Sequence, residues 1–169
     1  MLLLVGLGNP GSNYTNTRHN IGFKIIDAIN AHFKLSKQKP KFKGLLTTGN
    51  IESKKIYAIK PLTFMNNSGT AIKELIDYFK IDAKNVFVFH DDMDIDFGKV
   101  KAKFGGSSAG HNGIESIDKF IGKDYSRVRV GIGHPKQKKR VNNHVLEDFK
   151  DDEEEKIKEI TDNIVKLIP

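Results

Sequence analysis

The sequence predicts an α/β fold, a single domain over residues 1–169 in which a mixed, twisted β-sheet is flanked by α-helices. Two observations support this prediction. Short apolar runs typical of buried strands alternate along the chain with segments whose apolar residues recur at helical spacing. A chain of 169 residues can also bury most of its apolar surface in one core, which suits a single domain.

Strand and helix signals alternate from the start of the chain. Residues 2–7 form an apolar run typical of a buried strand, and helical spacing follows over residues 21–33. A hairpin arm is predicted over residues 51–59, with its turn at residues 53–54. The lysine-rich stretch 37–43 (KQKPKFK) is predicted to be a flexible connection that is too short to divide two domains.

The same alternation continues to the end of the chain. Asn67 or Ser68 can cap a second helix, and residues 86–89 form another short apolar strand. Residues 114–121 have helical spacing between two basic strands. The last helix is predicted over residues 151–168, with acidic residues in its first turn where the helix dipole favours them.

Residues 6–11 (GLGNPG) match the glycine pattern of dinucleotide-binding loops directly after the first strand. A dinucleotide site requires a helix immediately after the glycines and an acidic residue at the end of the next strand. Here residues 11–17 continue as a polar loop, and Asp27, at a suitable distance, lies inside a helical pattern. The sequence therefore does not predict a nucleotide cofactor.

Two polar segments follow predicted strands and contain groups suited to catalysis. His19 lies at the start of the first helix, and residues 90–96 (HDDMDID) follow the buried strand 86–89. An aspartate such as Asp91 can fix one imidazole nitrogen so that the other activates water. The alternative is a metal-dependent nuclease or phosphatase that binds Mg²⁺ or Mn²⁺ through the aspartates of residues 91–96. A solvated acidic turn also fits, and these residues alone leave all three interpretations open.

Charge is unevenly distributed, and the cations alternate with apolar residues. Residues 98–140 carry 11 Lys and Arg against three Asp and Glu, whereas residues 141–169 carry four against nine. On a strand, alternate residues project from one face, so two strands here would share a basic face followed by the loop 136–140. Such a face can follow a phosphate backbone, although a solvated surface that keeps the protein soluble also explains the charge. The alternating cations are Lys99, Lys101, Lys103, Arg127 and Arg129.

Two further loops are rich in glycine and amide side chains. KPLTFMNNSG contains Asn66 and Asn67, and FGGSSAGHNG contains His111 and Asn112. Amides both donate and accept hydrogen bonds, which suits a carbonyl or ester substrate better than a divalent cation.

Five motifs in this order resemble bacterial-type peptidyl-tRNA hydrolase: GLGNPGSNYTNTRHNIGF, KPLTFMNNSG, HDDMDIDFG, GGSSAGHNG and RVRVGIGHP. The resemblance implies a monomeric α/β hydrolase that cleaves the ester between a peptide and the 3′ end of tRNA, which recycles tRNA after abortive translation. It also implies that the glycine loop serves an esterase site.

The resemblance assigns roles to individual residues. His19 would be the general base, Asp91 would orient its imidazole, and Asn9 would face the scissile ester. Asn66 and Asn112 would bind the peptide backbone or the terminal nucleotide, and His111 belongs to the same site. The cleft would be lined by Tyr14, Phe64 and Met65. The residues expected to meet tRNA phosphates are Lys101, Lys103 and Arg129.

The same reasoning implies no cofactor, no metal and no obligate protein partner. The apolar start is too short for a signal peptide or a membrane span, so a cytoplasmic protein is expected. The chain has no cysteine, which excludes a disulfide, a thiolate metal site and a cysteine nucleophile. Plant organellar splicing factors resemble the same family, so an RNA-binding protein without hydrolase activity is the alternative outside the enzymes.

Overall fold

The computed structural model describes residues 1–135 and 141–168. Within these residues the chain forms seven strands and five α-helices. The strands are β1 Leu2–Gly6, β2 Lys39–Lys41, β3 Gly44–Ile51, β4 Lys54–Pro61, β5 Val86–Asp92, β6 Val100–Phe104 and β7 Ser126–Gly131. The helices are α1 Ile21–His32, α2 Ser68–Phe79, α3 Asn112–Ile121, α4 Val141–Leu146 and α5 Asp151–Leu167.

All seven strands form one mixed sheet in the order β2-β3-β4-β1-β5-β7-β6. The central four strands, β4, β1, β5 and β7, are parallel to one another. The outer pairs β2/β3, β3/β4 and β6/β7 are antiparallel. Because the central strands are parallel, the loops that follow them meet at one edge of the sheet, where sites in α/β folds commonly form.

Helices cover both faces of the sheet, because alternate residues of each buried strand point to opposite sides. Leu3 and Val5 of β1 join the core beneath α2 and α3, whereas Leu4 joins the core beneath α1 and α5. In α5, Ile157, Ile160 and Ile164 lie one helical turn apart and pack into that second core. None of the described helices has the length and apolarity that crossing a membrane requires.

Helix α1 begins very close to the ends of β1 and β5, and glycine makes this approach possible. A Cβ atom at Gly22 would collide with the backbone of Leu7 and with the carbonyl oxygen of Phe89. The residues just before α1 are therefore held directly above the carboxyl ends of the two central strands.

The predicted elements and the observed ones agree for most of the chain. Helical spacing over 21–33, 114–121 and 151–168 corresponds to α1, α3 and α5, and β5 extends three residues beyond the predicted 86–89. The prediction of a flexible connection over 37–43 was wrong, because Lys39–Lys41 forms edge strand β2 against β3. The hairpin turns at residues 52–53, one residue earlier than predicted, since Lys54 already pairs with Ile51.

Candidate active site

The side chains of His19, Asp91 and His111 meet at the edge of the sheet where the parallel strands end. Asp91 is the second-to-last residue of β5, and His19 lies in the short 3-10 turn Arg18–Asn20 that precedes α1. His19 Nδ1 lies 2.9 Å from both carboxylate oxygens of Asp91. His111 Nε2 lies 2.9 Å from Asp91 Oδ1. The carboxylate is only 2% exposed and therefore joins two imidazoles inside the protein.

The hydrogen-bond network fixes the tautomer of each imidazole. His111 is the N-cap of α3, and its Nδ1 accepts from the backbone N–H groups of Gly113 and Ile114 at 3.1 and 3.3 Å. Its proton must then lie on Nε2, which donates to Asp91. Because His19 Nδ1 also donates to Asp91, the unprotonated nitrogen of a neutral His19 is Nε2, and the hydrogen bonds of its ring to described residues are made by Nδ1. This is the arrangement that a general base requires.

The charge and the hydrogen bond of Asp91 together outweigh the effect of burial on the pKa of His19. Burial lowers the pKa of His19, but the Asp91 charge and hydrogen bond more than compensate, so its pKa is raised above the ordinary 6.5. Burial acts to raise the pKa of Asp91, but His19 and His111 hold it well below the usual range. Asp91 is therefore a carboxylate at neutral pH, and it stabilises the protonated form of His19.

A third histidine, His90, contacts both the backbone of Asp91 and the ring of His111. Its Nδ1 donates to the backbone carbonyl of Asp91 at 2.7 Å, and its ring lies edge-on to that of His111 at 4.7 Å between centroids. Burial, with the nearby His111, lowers the pKa of His90 to about 3. His90 is therefore neutral, and it packs against His111 without adding charge to the site.

The side-chain amide of Asn9 is oriented by its neighbours. Asn9 Oδ1 accepts the backbone N–H of Met65 at 2.8 Å. The Asn20 side chain bonds the backbone of Asn9 twice, accepting from its N–H at 2.8 Å and donating to its carbonyl at 2.9 Å. Since the oxygen of Asn9 is occupied, the group it can offer to a ligand is its NH₂ donor. Sequence reasoning missed Asn20, although it directly follows His19 in the motif RHN.

The other predicted cleft residues lie in the segment after β1, in the loop between β4 and α2, and at the start of α3. Phe64 is 53% exposed and has a left-handed φ of 56°, and its ring lies edge-on to Tyr14 at 6.4 Å. Met65 is buried, and its sulfur packs against Gly113 at the start of α3. Asn66 and Asn112 are exposed. His111 differs from the other predicted ligand-binding residues because both of its ring nitrogens are used within the protein.

The basic strands pair as predicted, but one of their cations is buried. In the register of β6 and β7, Lys101 lies opposite Arg129 and Lys103 opposite Arg127. Both lysines are exposed and Arg129 is partly exposed, whereas Arg127 is 1% exposed and paired with Asp118. Placing Arg127 on a surface basic face was therefore wrong, because α3 and the preceding loop cover it. The predicted basic loop 136–140 lies outside the described residues.

The aspartates of residues 91–96 do not converge on one point. Asp92 lies 3.9 Å from Arg129, Asp94 pairs with His134 at 2.8 Å, and Asp96 lies 3.7 Å from Lys99. Among the described residues, the potential metal ligands that do cluster are His19, Asp91 and His111, whose ligand atoms lie within 4.8 Å of one another. In that cluster each imidazole donates a proton to the carboxylate, so those nitrogens offer no lone pair to a cation. The geometry favours the hydrogen-bonded base over the metal-nuclease alternative.

A small cavity of about 90 Å³ adjoins His19, Asp91 and His111. Its walls come from His19 and Asp91, from the loop residues 108–112, from the turn after β5 and from Val145 of α4. This volume is large enough for more than one water molecule beside His19.

Comparisons with known proteins agree with the motifs and the geometry. A sequence model of the family described as peptidyl-tRNA hydrolase matches residues 3–169. The peptidyl-tRNA hydrolase of Pelagibacter ubique (strain HTCC1062) is 73% identical over 165 residues, which cover 98% of this chain and 89% of that protein. That of Bartonella quintana (strain Toulouse) is 48% identical over 168 residues, covering 99% and 87%.

A solved structure is similar over nearly the whole chain. The crystal structure of peptidyl-tRNA hydrolase from Acinetobacter baumannii matches with a TM-score of 0.93 and 36% sequence identity, covering 98% of this chain and 85% of that one. The chain therefore belongs to the peptidyl-tRNA hydrolase family. The resemblance inferred from the five motifs is confirmed.

Proposed function

We propose that this protein hydrolyses the ester bond between a peptide and the 3′ end of tRNA, with His19 as the general base. The observation that supports this most directly is the 2.9 Å contact of His19 Nδ1 with both oxygens of Asp91. It fixes the imidazole in the tautomer that leaves Nε2 free to take a proton from water. The family and the relatives' names supply the substrate class.

The proposed reaction transfers one proton through His19. Nε2 takes a proton from a water molecule as its oxygen attacks the ester carbonyl, and Asp91 stabilises the resulting imidazolium. When the tetrahedral intermediate collapses, the bond to the tRNA 3′-oxygen breaks, and that oxygen takes the proton back from Nε2. The products are tRNA with a free 3′-hydroxyl and a peptide with a free carboxyl group, which then releases its proton to water.

The remaining residues of the site bind the substrate in this proposal. The NH₂ group of Asn9 donates to a carbonyl of the blocked aminoacyl group, and the exposed amides of Asn66 and Asn112 bind the peptide or the terminal nucleotide. Tyr14 and Phe64 offer aromatic faces for stacking, and Met65 supports the loop that carries Phe64.

The tRNA body is proposed to lie along the edge formed by β6 and β7. Arg129 pairs in register with His90, the neighbour of Asp91, so this edge is one strand away from the site. Two exposed lysines and a partly exposed arginine contribute affinity through phosphate contacts, with little choice of sequence. The residues proposed for this role are Lys101, Lys103 and Arg129. We also propose that the protein acts in the cytoplasm as a monomer without an obligate protein partner.

The test is hydrolysis of N-acetyl-aminoacyl-tRNA by the purified protein in the presence of EDTA. The wild type should release tRNA, and His19→Ala should lower kcat by about 10²- to 10⁴-fold while tRNA affinity stays close to wild type. His32→Ala is the matched control, because His32 is an exposed histidine at the end of α1. Ester cleavage by His19→Ala at the wild-type rate would contradict the proposal. Binding without cleavage by the wild type would favour the non-enzymatic alternative, and phosphodiester cleavage that needs Mg²⁺ would favour the nuclease.

A further inference from the structure

Arg127 is the buried member of the basic strand pair, and its guanidinium bonds to the loop between β6 and α3. Nη1 donates to the backbone carbonyls of Gly106 and Ser107 at 3.0 and 3.1 Å. Nη2 donates to Asp118 Oδ1 of α3 at 2.8 Å. The side chain of Arg127 thus links strand β7 to helix α3 and to residues 106 and 107, which are called the root of the loop below.

The loop 105–111 has few other attachments among the described residues. Gly105 N–H bonds the carbonyl of Tyr125 at 2.9 Å, and further along the loop the bonds are local turns. A Cβ atom at Gly110 would meet nothing within 4 Å, so this part of the loop is open. The loop nevertheless ends at His111, whose Nε2 must lie at hydrogen-bond distance from Asp91. The position of His111 is therefore set from two sides, by its cap bonds to α3 and by the contacts of Arg127 with the start of the loop.

We infer that Arg127 is a positioning residue for hydrolysis, because it fixes the loop root so that His111 meets Asp91 and Asn112 faces the cleft. This inference rests on the proposed function. The path is short in the structure: Arg127 and Val130 lie on β7, and Val130 pairs in register with Asp91 on β5. The strand that holds the loop root is therefore the neighbour of the strand that carries the carboxylate.

The Arg127 guanidinium, with its bonds to the loop root and to Asp118, is the anchor of the loop, and its chemistry requires arginine. A guanidinium is planar and always charged, and it can donate in several fixed directions at once, whereas an ammonium is a point charge with a shorter reach. Asp118 fixes the guanidinium from the side of α3, and it also accepts the hydroxyl of Tyr125 at 2.7 Å. The Tyr125 ring lies under the guanidinium at 4.6 Å. Burial and Asp118 raise the pKa of Tyr125, so its hydroxyl remains a donor.

The experiment compares Arg127→Lys with Tyr125→Phe and with the wild type, at a temperature where all are folded. Lysine retains the charge beside Asp118 but cannot hold both carbonyls as well. We expect kcat for N-acetyl-aminoacyl-tRNA to fall about 10- to 100-fold, since a misplacement of about 1 Å can have an effect of that size. The salt dependence of tRNA binding should stay at the wild-type value. Tyr125→Phe loses a bond in the same cluster but retains the loop contacts, so its kcat should stay within about twofold of wild type.

Two further measurements separate positioning from a purely structural role. Amide hydrogen exchange of residues 106–111 should accelerate in Arg127→Lys. The acidic limb of the kcat–pH profile should move to higher pH, because Asp91 freed from His111 stabilises the protonated His19 more strongly. If Arg127→Lys does not fold, Asp118→Asn replaces it, with an expected fall in kcat of about three- to tenfold and the same direction of pH shift.

The experiment on Arg127 distinguishes failure of this inference from failure of the proposed function. A wild type that does not cleave the ester defeats the proposed function, and the exchange rates of residues 106–111 then still report on the anchor. If the wild type cleaves but a folded Arg127→Lys retains wild-type kcat and pH limb, the inference is overturned. A shallower salt slope in that variant would also overturn it, because Arg127 would then be a phosphate contact.

Discussion

Replacing Asp91 by Asn tests the chemistry of the site most directly. Asp91 Oδ1 lies 2.9 Å from both His19 Nδ1 and His111 Nε2, and Oδ2 lies 2.9 Å from His19 Nδ1 alone. An asparagine oxygen at the Oδ1 position keeps both acceptor contacts, which places the NH₂ group against Nδ1 of His19. Two donors then face each other, and the conflict is relieved when His19 moves its proton to Nε2. In that tautomer the nitrogen that should activate water is already protonated.

Loss of the correct tautomer should lower kcat by about 10²- to 10⁴-fold. At about 1.36 kcal/mol per tenfold, this corresponds to about 2.7–5.4 kcal/mol of transition-state stabilisation. The pH dependence should change as well. A general base works when unprotonated, so the wild-type rate rises with pH through the pKa of His19, which Asp91 holds above 6.5. Without the carboxylate charge, burial dominates and lowers that pKa, so the acidic limb should move to lower pH.

The assay is single-turnover hydrolysis of N-acetyl-aminoacyl-tRNA across a pH series that spans the ordinary histidine pKa. Asp96→Asn is the matched control, because this exposed aspartate follows the same strand and pairs only weakly with Lys99 at 3.7 Å. Its rate and pH profile should equal those of the wild type. If Asp91→Asn retains a rate within about threefold of wild type, or if its acidic limb does not move, the role given to Asp91 is wrong.

Three further predictions concern tRNA binding, specificity and stability. The logarithm of the affinity for tRNA should fall linearly with the logarithm of the salt concentration. Each alanine substitution at Lys101, Lys103 or Arg129 should make that slope shallower by about one unit. If the slopes do not change, these residues do not contact phosphates and belong to an ordinary solvated surface. Asn9→Asp keeps the acceptor for Met65 N–H but replaces the free NH₂ donor by a carboxylate oxygen, so the ratio of cleavage rates for N-blocked and free aminoacyl-tRNA should change. An equal fall in both rates would leave Asn9 only a structural role. Gly22→Ala should lower the free energy of unfolding by about 1–3 kcal/mol, because the new methyl group collides with the backbone of Leu7 and Phe89; a wild-type urea midpoint would show that α1 can move away.

The sequence determined the elements whose pattern is local. The apolar spacing of α1, the apolar run of β1 and the alternation of β7 depend on neighbours a few residues away, and the structure has these elements where the pattern places them. The five motifs likewise identified the family, since each is a continuous stretch. Edge strand β2 was missed because its three residues, Lys-Pro-Lys, have no strand pattern of their own. They are extended because β3 offers a partner.

Tertiary structure alone decided which of these residues meet. His19 and Asp91 are separated by 72 positions, and their contact depends on the parallel pairing of β1 with β5 and on the close approach of α1. The motifs named His111 as a ligand-binding residue, but only the fold shows that it caps α3 and shares the carboxylate of Asp91. Alternation placed Arg127 and Arg129 on one face of β7. The alternation does not show that α3 and the loop 105–111 cover Arg127 and leave Arg129 partly exposed. Strand periodicity determines the direction of a side chain, whereas the packing of distant elements determines its burial.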